Sequence, residues 1–241
     1  MFEEIFLAVI QAATEFLPVS SSGHLALVSN LISEPNLFFI TILHFASLLA
    51  VLIFTRKEIY KLVSFEKNYR KMWLYLIIAT IPAALIGFFF KSQIESSLSS
   101  FLFIGISFLF TSFILFMSKF ANRSSKLNSR SSLFVGLFQV FALFPGVSRS
   151  GMTISSSLIS GIKKEEAVRF SLLLFIPLAL GAMILELGEF YFSIELGIAF
   201  VLCFVLSLLF LNLLMYITKK GYFWAFGFYT LVLGIISLVL A

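Results

Sequence analysis

Two short polar stretches hold the residues able to do chemistry: QAATEFLPVSSSGH, Gln11 to His24, and QVFALFPGVSRSG, Gln139 to Gly151. The first supplies a carboxylate at Glu15, hydroxyls at Ser20, Ser21 and Ser22, the flexible Gly23, and an imidazole at His24. The second supplies one guanidinium, Arg149, between Ser148 and Ser150, with Gly146 and Gly151 on either side. A guanidinium matches phosphate oxygens bidentately, and neighbouring hydroxyls add donors. Imidazole serves as nucleophile, general acid or base, or phosphate ligand. A helix that restarts after Pro18 presents free backbone N–H groups, a ready anion site. Gln11 and Glu15, four apart on one helix face, offer oxygen donors to a hard divalent cation. Glu, His and Arg converging among backbone amides are what binding and hydrolysing a phosphoanhydride requires.

Blander readings stand beside each of these. Glu15 can be a protonated acid bonded to a neighbouring segment, and Arg149 its structural partner. The Ser-rich break can be punctuation alone. His44 has no motif around it and reads as a hydrogen-bonded helix-packing residue; Ser155, Ser156 and Ser157 read as small residues that let helices approach. Trp73, Trp224, Tyr222 and Tyr229 read as interface anchors. Cys203, the single cysteine, excludes a disulfide framework and reads as an inert buried thiol.

The two stretches share a spacing. Gln11, Ser20, Ser22 and Gly23 map onto Gln139, Ser148, Ser150 and Gly151 at a constant offset of 128. The correspondence stops at the reactive groups, because Leu143 and Met152 stand where Glu15 and His24 would be. The scaffold is duplicated and the chemistry is not, which favours a single site between two halves.

The elements that must position these residues lie in a bilayer. The chain is 60% hydrophobic and 12% charged, with 32 phenylalanines and a mean hydropathy of +1.07. Soluble domains carry roughly 25% charged residues, so an integral membrane protein is expected. Glu3 and Glu4 replace a basic leader and Pro18 breaks the first apolar run, so the start reads as mature structure. Six segments have the length of a span: 37–55, 72–90, 101–119, 168–187, 195–217 and 222–240. Segments 2–33 and 132–160 are broken near their centres and read as re-entrant helix hairpins. The fold class expected is therefore all-α and polytopic, with inverted repeats over about 1–120 and 130–241 and a polar linker at 120–131.

Charge sorts with that layout. It gathers 15 of 17 basic residues on one face, among them Lys71, Arg123, Lys126, Lys163, Lys164 and Lys219. Glu3, Glu4, Glu34, Glu95, Glu186, Glu189 and Glu195 collect on the other. Under the positive-inside rule the basic face is cytoplasmic and both termini lie outside. The pI of 9.4 thus reports topology, and no nucleic-acid partner is expected.

These motifs resemble those of the undecaprenyl-diphosphate phosphatase family, membrane enzymes associated with bacitracin resistance. Gln11, Glu15 and Pro18 to His24 match the first family motif, and Pro145 to Gly151 the second. GLFQ (136–139) and the prolines at 82 and 177 extend the likeness over nearly the whole chain. The resemblance implies hydrolysis of undecaprenyl diphosphate to the monophosphate and phosphate at the outer face of the plasma membrane. That reaction recycles the lipid carrier of peptidoglycan synthesis and depends on Mg²⁺ or Ca²⁺. Carried over by position, Glu15, His24 and Arg149 form the catalytic core, with Ser21 or His24 as nucleophile. Ser20, Ser22, Gly23, Gly146, Ser148, Ser150 and Gly151 fall on the phosphate-binding loops. Glu15 and Gln11 fall at the metal, with Gln in place of a first acid.

A transporter or flippase for the same lipid class is the rival reading, since broken helices meeting at the midplane also suit transport. Transport requires neither a nucleophile nor a metal ligand. The sequence leaves a homodimer open.

Overall fold

The computed structural model describes residues 2–31, 37–67, 69–97, 100–121, 124–185 and 193–241. Glu34, Arg123, Glu186 and Glu189 lie outside the described residues, as do the ends of the expected 2–33 hairpin and 168–187 span.

The chain is α-helical: α1 (Phe2–Phe16), α2 (Ser21–Leu31), α3 (Leu37–Phe54), α4 (Arg56–Val63), α5 (Arg70–Phe89), α6 (Lys91–Ser96), α7 (Phe101–Ser118), α8 (Ser129–Phe141), α9 (Arg149–Ile159), α10 (Lys164–Leu185), α11 (Ile194–Lys220) and α12 (Phe226–Val239). Among the described residues the only β-type pairing is an isolated bridge, Ser125 to Ile162.

Four helices, α5, α7, α10 and α11, are long and apolar enough to cross a membrane. A fifth span exists if α3 and α4, bent by 73° at Thr55, count as one. The protein is a multi-pass membrane protein. Ile77, Ile81 and Leu85 on α5 and Val201, Val205 and Leu209 on α11 remain exposed, as lipid-facing residues must. The expected span at 222–240 coincides with an apolar helical run that opens on a 3-10 turn. Gly221 ends α11 in the left-handed region at φ 86°, and Phe223–Ala225 forms a 3-10 turn before α12 begins. The apolar helical run covers Phe223–Val239.

Local signals explain the ends of several helices. Asn128 starts α8 with a reciprocal capping box to Ser131, so helix replaces the last residues of the expected linker. Ser100 and Ser193 cap α7 and α11 through the backbone N–H groups of Phe103 and Leu196. Both expected breaks are present, after Phe16 and after Phe141.

α1 packs on α2, α3 and α11; α8 packs on α9 and α5; α7 packs on α12 and on α9. α10 runs through the middle, contacting α3, α5, α9 and α11 and burying Phe170, Leu172 and Leu174. Gly105 and Gly234 make the α7–α12 crossing close. A Cβ on either would sit 3.1 Å from the carbonyl oxygen of the other. This crossing brings Phe108, Thr111 and Tyr229 up to the loops between the paired helices.

Candidate active site

Glu15 closes the last turn of α1, one residue before the chain leaves the helix. Its residue surface is 9% exposed, which makes an unpaired carboxylate there costly. Three donors surround it. Arg149 Nη2 donates to Oε1 at 2.8 Å, Ser21 Oγ to Oε2 at 2.6 Å, and Gln11 Nε2 to Oε2 at 3.0 Å. Arg149 and Ser21 are the first residues of α9 and α2, so the starts of two helices converge on one acid.

Arg149 is held as a plane. Its Cζ lies 4.0 Å from the centre of the Phe175 ring, and Phe175 meets Phe16 edge to face. Nη1 is buried with no hydrogen-bond partner, so half of the guanidinium fork is open for another acceptor.

The loops that carry these groups touch. A Cβ on Gly23 would fall 2.8 Å from Gly146 Cα and 2.6 Å from Phe108, so only glycine fits there. Ser150 Oγ donates to Leu17 O at 3.3 Å across the same contact. Thr111 on α7 pins the second loop by donating to Gly146 O at 3.0 Å and accepting from Ser148 N at 3.2 Å. Ser20 and Ser148 each cap the following helix, accepting from Gly23 N and Gly151 N.

His24, one turn into α2, faces away from the carboxylate. Its Nδ1 lies 2.7 Å from Ser20 O, a carbonyl that can only accept, so Nδ1 carries the proton. Nε2 then accepts from Tyr229 Oη at 2.8 Å. Tyr229 also stacks on the imidazole at 5.7 Å between ring centres, and Phe108 meets it edge-on. No hydrogen bond joins His24 to Glu15 or Arg149 among the described residues.

Two members escaped the sequence reading. His44, read there as a hydrogen-bonded packing residue with no partner named, has Nδ1 3.0 Å from Gln11 Nε2 and 3.7 Å from Glu15 Oε2. Tyr229, read as an interface anchor, instead orients His24. Conversely, Gln139 points elsewhere, donating to Ala79 O at 3.1 Å. A polar side chain within an apolar helix was the one signal for His44; nothing local marked Tyr229.

The donor set bears on a cation. Among the described residues no group of three or more His, Cys, Asp or Glu side chains is placed to hold a metal. Gln11 Oε1, however, is buried with no hydrogen-bond partner. Three donors leave about one of the four lone-pair positions of Glu15 open. One carboxylate and one amide oxygen suit a cation that keeps waters and is shared with a phosphate.

The sequence model for Bacitracin resistance protein BacA matches residues 4–236. The chain belongs to the BacA family. Every residue of this site falls inside the matched span. Among relatives of the BacA-family chain, the undecaprenyl-diphosphatase of Thermosipho africanus is 40% identical over 241 residues, covering 97% of each chain. That of Methanococcus maripaludis strain C7 is 39% identical over 236 residues, 94% of this chain and 95% of its own. That of Korarchaeum cryptofilum is 34% identical over 257 residues, 99% and 98%.

Proposed function

We propose that this chain hydrolyses undecaprenyl diphosphate to undecaprenyl phosphate and inorganic phosphate, recycling a lipid carrier for peptidoglycan synthesis and so conferring bacitracin resistance. The observation that carries the proposal is the buried Glu15 carboxylate bonded at one oxygen to Arg149 and at the other to Ser21. The names of the relatives point to the same substrate.

In this reading the terminal phosphate docks on the open Nη1 of Arg149 and on the backbone N–H groups at the starts of α2 and α9. Ser21 Oγ attacks the terminal phosphorus and Glu15 Oε2 takes the hydroxyl proton. The new Oγ–P bond forms as the bond to the bridging oxygen breaks, and undecaprenyl phosphate leaves. Water then attacks the phosphoserine, giving its proton to His24 Nε2 once Tyr229 has moved aside. Phosphate leaves and Ser21 recovers its proton from Glu15. A divalent cation, Mg²⁺ or Ca²⁺, held by Glu15 and Gln11 Oε1, would supply positive charge to the diphosphate oxygens. Ser20, Ser22, Ser148, Ser150, Gly23, Gly146 and Gly151 shape the loops that receive the phosphates.

The proposed topology has six membrane helices and two re-entrant hairpins, α1–α2 and α8–α9, in inverted repeats. Supporting it, α1 lies on α11 as α8 lies on α5, and the counterparts α7 and α12 pack on each other. Lysines 71, 119, 126, 163, 164 and 219 line one cavity, which supports placing that end in the cytoplasm. The site then opens to the extracytoplasmic face of the plasma membrane, with both termini outside. All site residues come from one chain, so a homodimer is not required.

The test is phosphate release from a polyprenyl diphosphate in detergent, with and without chelator, for the native chain and for S21A, H24A, E15A and R149A. Retained turnover in all four variants would remove the enzymatic reading. Lipid movement across liposomes without release would install the flippase instead. A cysteine placed at Ser124 should be protected from external thiol reagents.

A further inference from the structure

A cavity of about 1360 Å³ lies away from the hairpin tips, where α5 and α10 begin and α7 and α11 end. Seven cationic and three acidic side chains line it. Arg169 is paired with Glu58, and Lys219 with Glu165 at 2.6 Å. Lys119 sits 4.0 Å over the Trp224 ring. Lys71, Lys126 and Lys163 make no ion pair among the described residues. The wall therefore presents unneutralised positive charge at a membrane surface. It also holds an unmet acceptor: Glu58, 6% exposed, keeps Oε2 buried without a hydrogen-bond partner.

A second, apolar groove of about 440 Å³ runs beside it. The same helices build both. On α4, Glu58 faces the cavity and Ile59 and Leu62 the groove. On α5, Met72 and Tyr75 face the cavity and Trp73 and Leu76 the groove, while Leu173 of α10 borders both. A basic chamber bordering an apolar trough across Leu173 matches the chemistry of an amphiphile with an anionic head.

We propose that this chamber and groove form a binding site for an anionic glycerophospholipid whose headgroup carries hydroxyls, phosphatidylglycerol in kind. Its phosphate meets Lys71, Lys126 and Lys163, a headgroup hydroxyl donates to Glu58 Oε2, and an acyl chain lies against Leu76, Leu173 and Ile176. The site is separate from the Glu15–Arg149 centre, and its test reads no turnover, so it stands or falls apart from the hydrolase reading.

The chain has two tryptophans, and W224F leaves Trp73, which lines the groove, as the only one. The full chain carrying W224F is reconstituted in liposomes, and Trp73 fluorescence is titrated with phosphatidylglycerol or phosphatidylcholine bearing brominated acyl chains. Phosphatidylglycerol should quench at a severalfold lower mole fraction. Adding K71A, K126A and K163A should abolish that preference, because each lysine near an anionic headgroup contributes on the order of 1 kcal/mol, about fivefold. If the triple variant fails to fold, K126A alone, in an exposed loop, should shrink it by a smaller factor. Equal quenching by the two lipids, or a preference that survives the lysine substitutions, overturns the proposal. So does loss of the preference to millimolar inorganic phosphate but not to chloride of equal ionic strength, which would mark an ion site only. Displacement by polyprenyl phosphate at a lower mole fraction than phosphatidylglycerol would reassign the occupant.

Discussion

The α1–α2 and α8–α9 loops are the same device used twice, with different cargo. Ser20 and Ser148 stand 128 residues apart, and each caps the third residue of the next helix, at 3.2 and 3.1 Å. Each also lies 3.2 Å from the hydroxyl two residues on, Ser22 or Ser150. The residue just after each cap is Ser21 in one hairpin and Arg149 in the other, again 128 apart. These two equivalent side chains reach the two oxygens of one carboxylate, Glu15. The duplicated caps thus deliver a hydroxyl from one side and a guanidinium from the other. A second acid at Leu143 would add a like charge with no second clamp to offset it.

That asymmetry is broken most severely by removing the shared acid or its clamp. E15A and R149A should each lower phosphate release about 10²–10³-fold, the usual loss when a charge-stabilising group goes. L143A, at the equivalent place in the other hairpin, should stay within about threefold, as a substitution that touches no reacting group. Steady-state release at saturating lipid checks both. Comparable losses in L143A would mean the second hairpin carries chemistry of its own.

R149K sharpens the same comparison. Lysine keeps the charge but loses the fork that serves Glu15 with Nη2 and leaves Nη1 open, and it loses the flat face on Phe175. Release should fall about tenfold, between native and R149A, because a point charge replaces bidentate contact. A native rate would show that charge alone suffices.

Tyr229 tests the half of the site that the second hairpin lacks, since Met152 replaces the His. Y229F removes one hydrogen bond to His24 Nε2 but keeps the stacked ring. Because that bond must open before Nε2 takes a proton, release should stay within about twofold of native. H24A should cost far more; equal effects would make Tyr229 a reacting group rather than a positioning one.

Both hairpins were legible in the sequence because Pro18, Gly146 and the Ser-Gly steps break otherwise apolar helices. Glu15 and Arg149 stood out because charge in an apolar stretch demands a partner, and the ion pair they form is the blander of the readings open to them. His44 and Tyr229 were not. Their roles depend on where α3 and α12 cross the hairpins, and α12 is placed by the Gly105–Gly234 approach between helices distant in sequence. His24 shows the same gap from the other side: its presence was plain, but its direction is set by Ser20 O and Tyr229.

The finest difference between the hairpins lies in their caps. Ser148 has extended backbone, φ −77°, because Gly146 two residues earlier takes the left-handed turn at φ 90°. The first hairpin has no glycine before its cap, and Ser20 itself is left-handed at φ 67°. A non-glycine residue there costs about 1–2 kcal/mol, whereas replacing a Ser cap by Gly costs only a few tenths. S20G should therefore raise the thermal midpoint in detergent by a degree or more, the strain relieved exceeding the bond lost. S148G relieves nothing and gives up both the cap and backbone rigidity, so its midpoint should fall by a similar amount. Equal falls in the two variants would mean that Ser20 is held without strain, and that the first loop owes its shape to the Gly23–Gly146 contact rather than to its own turn.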